Sequence, residues 1–172
     1  MQQPPLLPEE TLIRVLQSAR FDGLGALILG TLFALMAAAA QEGPFAVIGL
    51  LAAGAGAIEL HGVNLLREGE NRGMRWLIAS QPFLLLIIWC YCVLRLVHFE
   101  MPPLTDGLSH LATLSAEQWG LSVDEYFRTL NTITVAVLAV VALIYQASMT
   151  IYYLHRREPV AKALAEDFAT DV

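Results

Sequence analysis

The sequence predicts an all-α integral membrane protein, a bundle of four transmembrane helices with short amphipathic surface helices. Three observations predict it. The chain of 172 residues is 56% hydrophobic with mean hydropathy +0.57, and only 15% of it is Asp, Glu, Lys or Arg, against about 25% in an ordinary soluble domain. Glu59 apart, those charges are absent from four apolar runs, each close to the roughly 20 residues a helix needs to cross a hydrocarbon core of about 30 Å. The alternation expected of barrel strands is absent, and a lipid core admits only helices or closed barrels, because every backbone polar group there must be bonded internally.

The elements follow in order. Residues 1–22 form a cytoplasmic N-terminal segment in which Leu12, Val15, Leu16 and Ala19 recur at helical spacing beside Arg14 and Arg20. That pattern predicts an amphipathic helix over 8–20 lying on the inner membrane surface. Met1 to Pro8 carries no positive charge and the first apolar run begins only at Gly23. The N-terminus therefore does not read as a secretory leader, although small residues from Ala37 to Ala40 follow the run. Span one is 23–40, with Thr31 its only polar side chain; span two is 45–66, interrupted by Glu59, His61 and Asn64. Span three is 76–98, free of charge from Trp76 to Leu94, and Met101-Pro102-Pro103 stops it. An extracytoplasmic loop, 100–128, contains two capping-box patterns, Ser115 to Gln118 and Ser122 to Glu125. The second is placed to start a helix that runs on into span four, 129–154. Residues 155–172 read as a cytoplasmic acidic tail.

The loops orient the spans. Arg14 and Arg20 precede span one; Arg67, Arg72 and Arg75 lie between spans two and three; Arg156, Arg157 and Lys162 follow span four. Eight of the 10 basic residues thus fall on one side, and the positive-inside rule makes that side, with both termini, cytoplasmic. Trp76, Tyr152 and Tyr153 suit the inner interface, and Trp119, Tyr126 and Phe127 the outer one. The hydropathy layout is similar to that of small bacterial four-helix membrane proteins. That likeness implies a bacterial cytoplasmic membrane and carries over no site residue.

With this topology fixed, Glu59 and His61 of span two, Ser80 and Gln81 of span three, and Gln146 and Ser148 of span four all fall in the inner third of the membrane. Three helices therefore offer polar side chains at one depth. Ala52, Ala55, Gly56 and Gly62 share the face of Glu59, and small residues let helices approach closely in lipid. Pro82 removes a backbone donor near the same level. His61, Arg75, Gln81 and Gln146 are candidate partners for the carboxylate. An ionisable residue at this depth is a functional candidate, weighed against a structural polar layer that fixes helix register. A second charged group, Arg95, His98 and Glu100, stands at the outer end of span three.

Other chemistry is not indicated. With 10 basic and 16 acidic residues, the chain has no basic run to neutralise phosphates, so no nucleic-acid partner is expected. Cys90 and Cys92 are two apart in an apolar run and point to nearly opposite faces, unsuited to a bridge or a redox pair. The four histidines show neither zinc-ligand spacing nor a facing pair for haem. No catalytic residue, cofactor or metal is expected, and the chain is not expected to be an enzyme. The partners expected are the lipid bilayer and either further copies of the chain or another membrane protein. The leading expectation is a non-enzymatic accessory, scaffold or lipid-interacting subunit. The alternative is a homo-oligomeric channel or transporter that uses the polar layer around Glu59.

Overall fold

The computed structural model describes residues 7–99 and 106–170. Among them are five helices and no strand: α1 (Pro8–Ala39), α2 (Gly43–Arg67), α3 (Gly73–Val97), α4 (Asp106–Trp119) and α5 (Val123–Thr170). All but α4 are long and apolar enough to cross a membrane. Successive long helices run antiparallel, as the pairs Gly23/Gly56 and Gly30/Ala53, Gly62/Gly73, and Cys92/Val135 require. α1 and α5 also meet, which closes the bundle into a ring and puts both ends of the described chain at one end of it.

Local sequence explains the helix ends. Pro8 opens α1 with Glu9 and Glu10 in its first turn, where a missing N–H costs nothing and the helix dipole favours negative charge. Between α1 and α2 the chain turns at Gln41, φ 62°, a left-handed position usually given to glycine. Gly69 and Gly120 occupy such positions in the later turns. The capping box at Ser122 forms as expected: Glu125 accepts hydrogen bonds from the Ser122 N–H (3.0 Å) and hydroxyl (2.8 Å). α5 then runs unbroken through the fourth apolar run. The box at Ser115 does not form, because Ser115 lies inside α4 and its hydroxyl donates to the Leu111 carbonyl.

Two stretches expected outside the bundle are part of it. Residues 8–20 are not a separate surface helix but the first turns of α1, since nothing between Arg20 and Gly23 breaks the helix. The expected tail continues α5, with Pro159 inside it. The two extensions cover one another: Val15 and Ala19 cluster with Tyr153, Val160 and Leu164, and with Val63, Leu66, Met74 and Leu77. The apolar stripe of 8–20 is thus buried on protein. Away from the termini the core thins to Ile48, Ala55 and Ile87.

The longest run of close approaches is between α1 and α2. A Cβ on Gly30 would stand 2.5 Å from the Ala53 nitrogen, one on Gly49 2.6 Å from the Ala34 nitrogen, and one on Gly56 2.5 Å from both the Gly23 carbonyl oxygen and the Leu27 nitrogen. The obstacles are backbone, so no side-chain rotation relieves them. Gly54, on another face of α2, has nothing within 4 Å of such a Cβ. Gly56→Ala is expected to destabilise the bundle by about 1–3 kcal/mol, the cost of overpacking. Gly54→Ala is expected to stabilise it by about 0.5–1 kcal/mol through helix propensity. Thermal unfolding of both variants in one detergent checks this, and shifts of equal sign would show that the seam does not set the packing.

Candidate functional site

The small-residue faces bring polar side chains from every long helix to one level. Glu59 shares its face of α2 with Ala55, Gly56 and Gly62, all buried, and is itself only 1% exposed. Its Oε1 accepts hydrogen bonds from Gln81 Nε2 of α3 (3.0 Å) and from the Tyr153 hydroxyl of α5 (2.8 Å). The same Gln81 nitrogen donates to Asp22 Oδ2 of α1 (3.3 Å), and Asp22 Oδ1 accepts from the Tyr145 hydroxyl (3.0 Å). Two carboxyl groups from α1 and α2 are therefore bridged by one amide, with a phenol on each. Among the described residues, no Lys, Arg or His side chain joins them.

Two acceptors at this level lack partners. Gln81 Oε1 and Gln146 Oε1 are buried without a hydrogen bond among the described residues. Gln81 lies eleven residues before Cys92 and Gln146 eleven after Val135, and Cys92 meets Val135 across the antiparallel pair. The two amides therefore stand at one height on α3 and α5. An acceptor left without a donor in a buried setting costs about 1–3 kcal/mol.

The residues singled out by sequence divide accordingly. Glu59 and Gln81 meet, and Gln146 is buried at their level. Ser80 is also buried, but its hydroxyl donates to the Leu77 carbonyl of its own helix (2.9 Å). His61 is exposed and turns away, its ring edge-on to Trp76 at 5.5 Å. Ser148 is exposed and donates to the Ile144 carbonyl. Arg75 is exposed and does not reach the carboxylate. At the other end of α3, Arg95 is half-buried and His98 exposed, while Glu100 lies outside the described residues. Cys92 is buried and Cys90 exposed, both as free thiols. Among the described residues, no three His, Cys, Asp or Glu side chains form a group that holds a metal.

Sequence reasoning missed Asp22, Tyr145 and the inward role of Tyr153. A signal for Asp22 was present: Thr11, Val15, Ala19 and Asp22 recur at helical spacing, and the first three are buried. Treating 8–20 as a separate helix hid that continuity, and the charge of Asp22 merely bounded the first run. Tyr153 reads as an interfacial aromatic, yet it is 0% exposed because the α5 extension continues past it.

The fold and site define an all-helical bundle, with four helices long enough to span a membrane and a bridged carboxyl pair among them. No protein-family model matches the chain, and no curated protein or solved structure is found to be similar to it.

The bridge has a measurable energy. Polar pairs between membrane helices average about 0.6 kcal/mol and reach about 1.7. A double-mutant cycle of Glu59→Gln with Tyr153→Phe, read by unfolding in mixed micelles, is expected to give a coupling of about 1 kcal/mol. Strict additivity would mean that this contact contributes nothing.

Proposed function

We propose that the protein is a non-enzymatic, multi-pass membrane protein whose Asp22–Glu59 pair is an intramembrane proton site, serving proton-coupled transport by an assembly of several copies. One observation carries the reading: two carboxyl groups share a single amide donor, without a cation among the described residues, between helices long enough to cross a bilayer. Insertion scales put an acidic residue at a helix centre at about 2.5–3.5 kcal/mol. The cost falls toward an interface, but four hydrogen bonds at about 0.6 kcal/mol each leave two like charges side by side with no cation among the described residues. One bound proton removes one charge and the mutual repulsion together. A purely structural clasp would be met as well by neutral amides.

The route to the pair is lateral. On the side of the termini, Val63, Leu66, Met74 and Leu77 pack into a dry core. Tyr145 is 46% exposed and its hydroxyl donates to Asp22 Oδ1, so a proton arrives at Asp22 along the α1–α5 seam and is held by the pair. Four helices enclose no wide pathway alone, which is why the reading takes several copies. A second reading, an accessory or lipid-interacting subunit, is favoured by the apolar cleft described below.

Infrared difference spectroscopy of the reconstituted chain across a pH step tests the site. A carboxylic-acid carbonyl band that titrates in the wild type and disappears in Glu59→Gln or Asp22→Asn is expected. A wild-type spectrum without such a band would sink the proposal. Proton flux into vesicles that persists unchanged in Glu59→Gln would remove Glu59 from transport.

The arrangement proposed in the membrane has both termini in the cytoplasm, the membrane being a bacterial cytoplasmic one. It is supported by the basic residues gathered at one end of the bundle and the acidic loop at the other. Thr113, exposed on α4, supplies the check. Thr113→Cys, in a background with Cys90 and Cys92 replaced by Ser, should react with an impermeant thiol reagent added to intact cells. Labelling only after the membrane is broken would reverse the orientation.

A further inference from the structure

Towards the α4 end, α1 and α5 part and leave a cleft of about 390 Å³ that reaches inward to α2 and α3. Its walls are apolar, among them Leu29, Phe33, Ile48, Ile88 and Leu138. Tyr91 and Leu138 also line a second hollow, of about 280 Å³, between α3 and α5. That hollow carries polar groups where the cleft does not: Arg95, Asn131 and Thr134 line it, and among the described residues no acidic side chain does.

We infer that the two together are a binding site for one phospholipid of the surrounding bilayer, with an acyl chain in the cleft and the phosphodiester at Arg95. The inference rests on the reading that the four helices lie in a bilayer, and is independent of the proton site. Size and character fit: ligand pockets run to roughly 300–1,000 Å³, mostly apolar with a few polar anchors. An apolar cavity does not hold water, and at this depth the available filler is an acyl chain.

Charge selects the headgroup. Arg95 is half-buried and forms no ion pair among the described residues. The Asn131 amide donates to the Arg95 backbone carbonyl at 3.3 Å, which ties α3 to α5 at this residue without neutralising its guanidinium. Glu42 and His98 line a separate hollow on the other side of Arg95, and Glu42 does not bridge to it. A guanidinium matches phosphate oxygens through paired N–H donors. A phosphate approaching from the α5 side meets that cation and, among the described residues, no acid.

The test is native mass spectrometry of the full chain, delipidated in detergent and titrated with dioleoylphosphatidylglycerol, with dioleoylglycerol as the headgroup-free control. One phosphatidylglycerol per chain is expected, with dioleoylglycerol bound at least tenfold more weakly. Arg95→Gln should weaken phosphatidylglycerol about tenfold, as loss of a charged hydrogen bond does. Ala52→Phe, which fills the cleft from α2, should weaken it as much. Leu138→Trp fills it from α5 and keeps the tail test intact if Ala52→Phe does not fold. Unchanged affinity in Arg95→Gln, or in both cleft-filling variants that fold, overturns the site, as does dioleoylglycerol binding equal to phosphatidylglycerol. Failure of the bilayer reading shows separately, as a chain that stays in solution when detergent is withdrawn in the presence of phosphatidylcholine vesicles.

Discussion

The contact on which the rest of the structure depends is the meeting of α1 and α2 along Gly23, Gly30, Gly49 and Gly56, where backbone lies on backbone. Lipid gives helices no hydrophobic reason to associate, so such a pair is held by close van der Waals packing that only small residues permit. The seam also decides where the acids fall. Gly56 lies one turn from Glu59 on α2, and Gly23 follows Asp22 on α1. Closing the seam therefore draws both carboxyl groups into the bundle, where Gln81 and the two tyrosines reach them. The second tight contact, Gly62 against Gly73, does the same for α3 and sets the height of Gln81. Packing and site are one arrangement: a bulkier seam would part the carboxyl groups before it unfolded a helix.

The bundle is uneven along its length, and the unevenness has a physical source. At the end of the termini, α1 and α5 extend beyond the apolar runs and bury Val15, Ala19, Val160 and Leu164 on one another. This part has an apolar driving force that holds in water as well as in lipid. At the α4 end, α5 buries only Val135 and Ala142, while Val137, Val140, Val141 and Ile144 are exposed. Those side chains have no reason to leave a hydrocarbon solvent. The chain is thus clamped at one end and open at the other, with the polar pair at the boundary. Tyr145 marks that boundary, with its hydroxyl on Asp22 and its ring exposed.

The helices were legible in the sequence because long charge-free runs leave few alternatives, and Glu59 with Gln81 because polar residues in such runs stand out. The ends of the helices were less legible. The stripe Leu12, Val15, Leu16 and Ala19 looks the same whether it lies on lipid headgroups or on Val160 and Leu164, since both bury an apolar face under a polar one. Only the partner distinguishes them, and the partner lies more than a hundred residues away in the chain. The same ambiguity hid Asp22 and Tyr153, which stand where a surface helix would end and an interface would begin. His61 and Ser148 show the opposite error. Each lies on a face that the neighbouring helices do not cover.

Whether the polar centre is a clasp or a site turns on its balance of donors and acceptors. A clasp pairs each donor with an acceptor and leaves nothing over, as a half-satisfied buried network is worse than an apolar core. Here the donors are the Gln81 amide and two phenols, which already point at Asp22 and Glu59, and the Gln146 amide, which reaches neither. The acceptors are two carboxyl groups, each able to accept about four hydrogen bonds when ionised, together with the buried Gln81 and Gln146 oxygens that have no partner among the described residues. Acceptor sites outnumber donors, and Arg20, Arg67 and Arg75, the arginines nearest Asp22, Glu59 and Gln81 in sequence, are exposed. What such a centre lacks is a positively charged or donating species small enough to enter between helices in backbone contact. A proton meets that description in the reading proposed above: it removes one of the two charges and adds a donor where donors are short, while the protonated carboxyl keeps its remaining acceptor capacity.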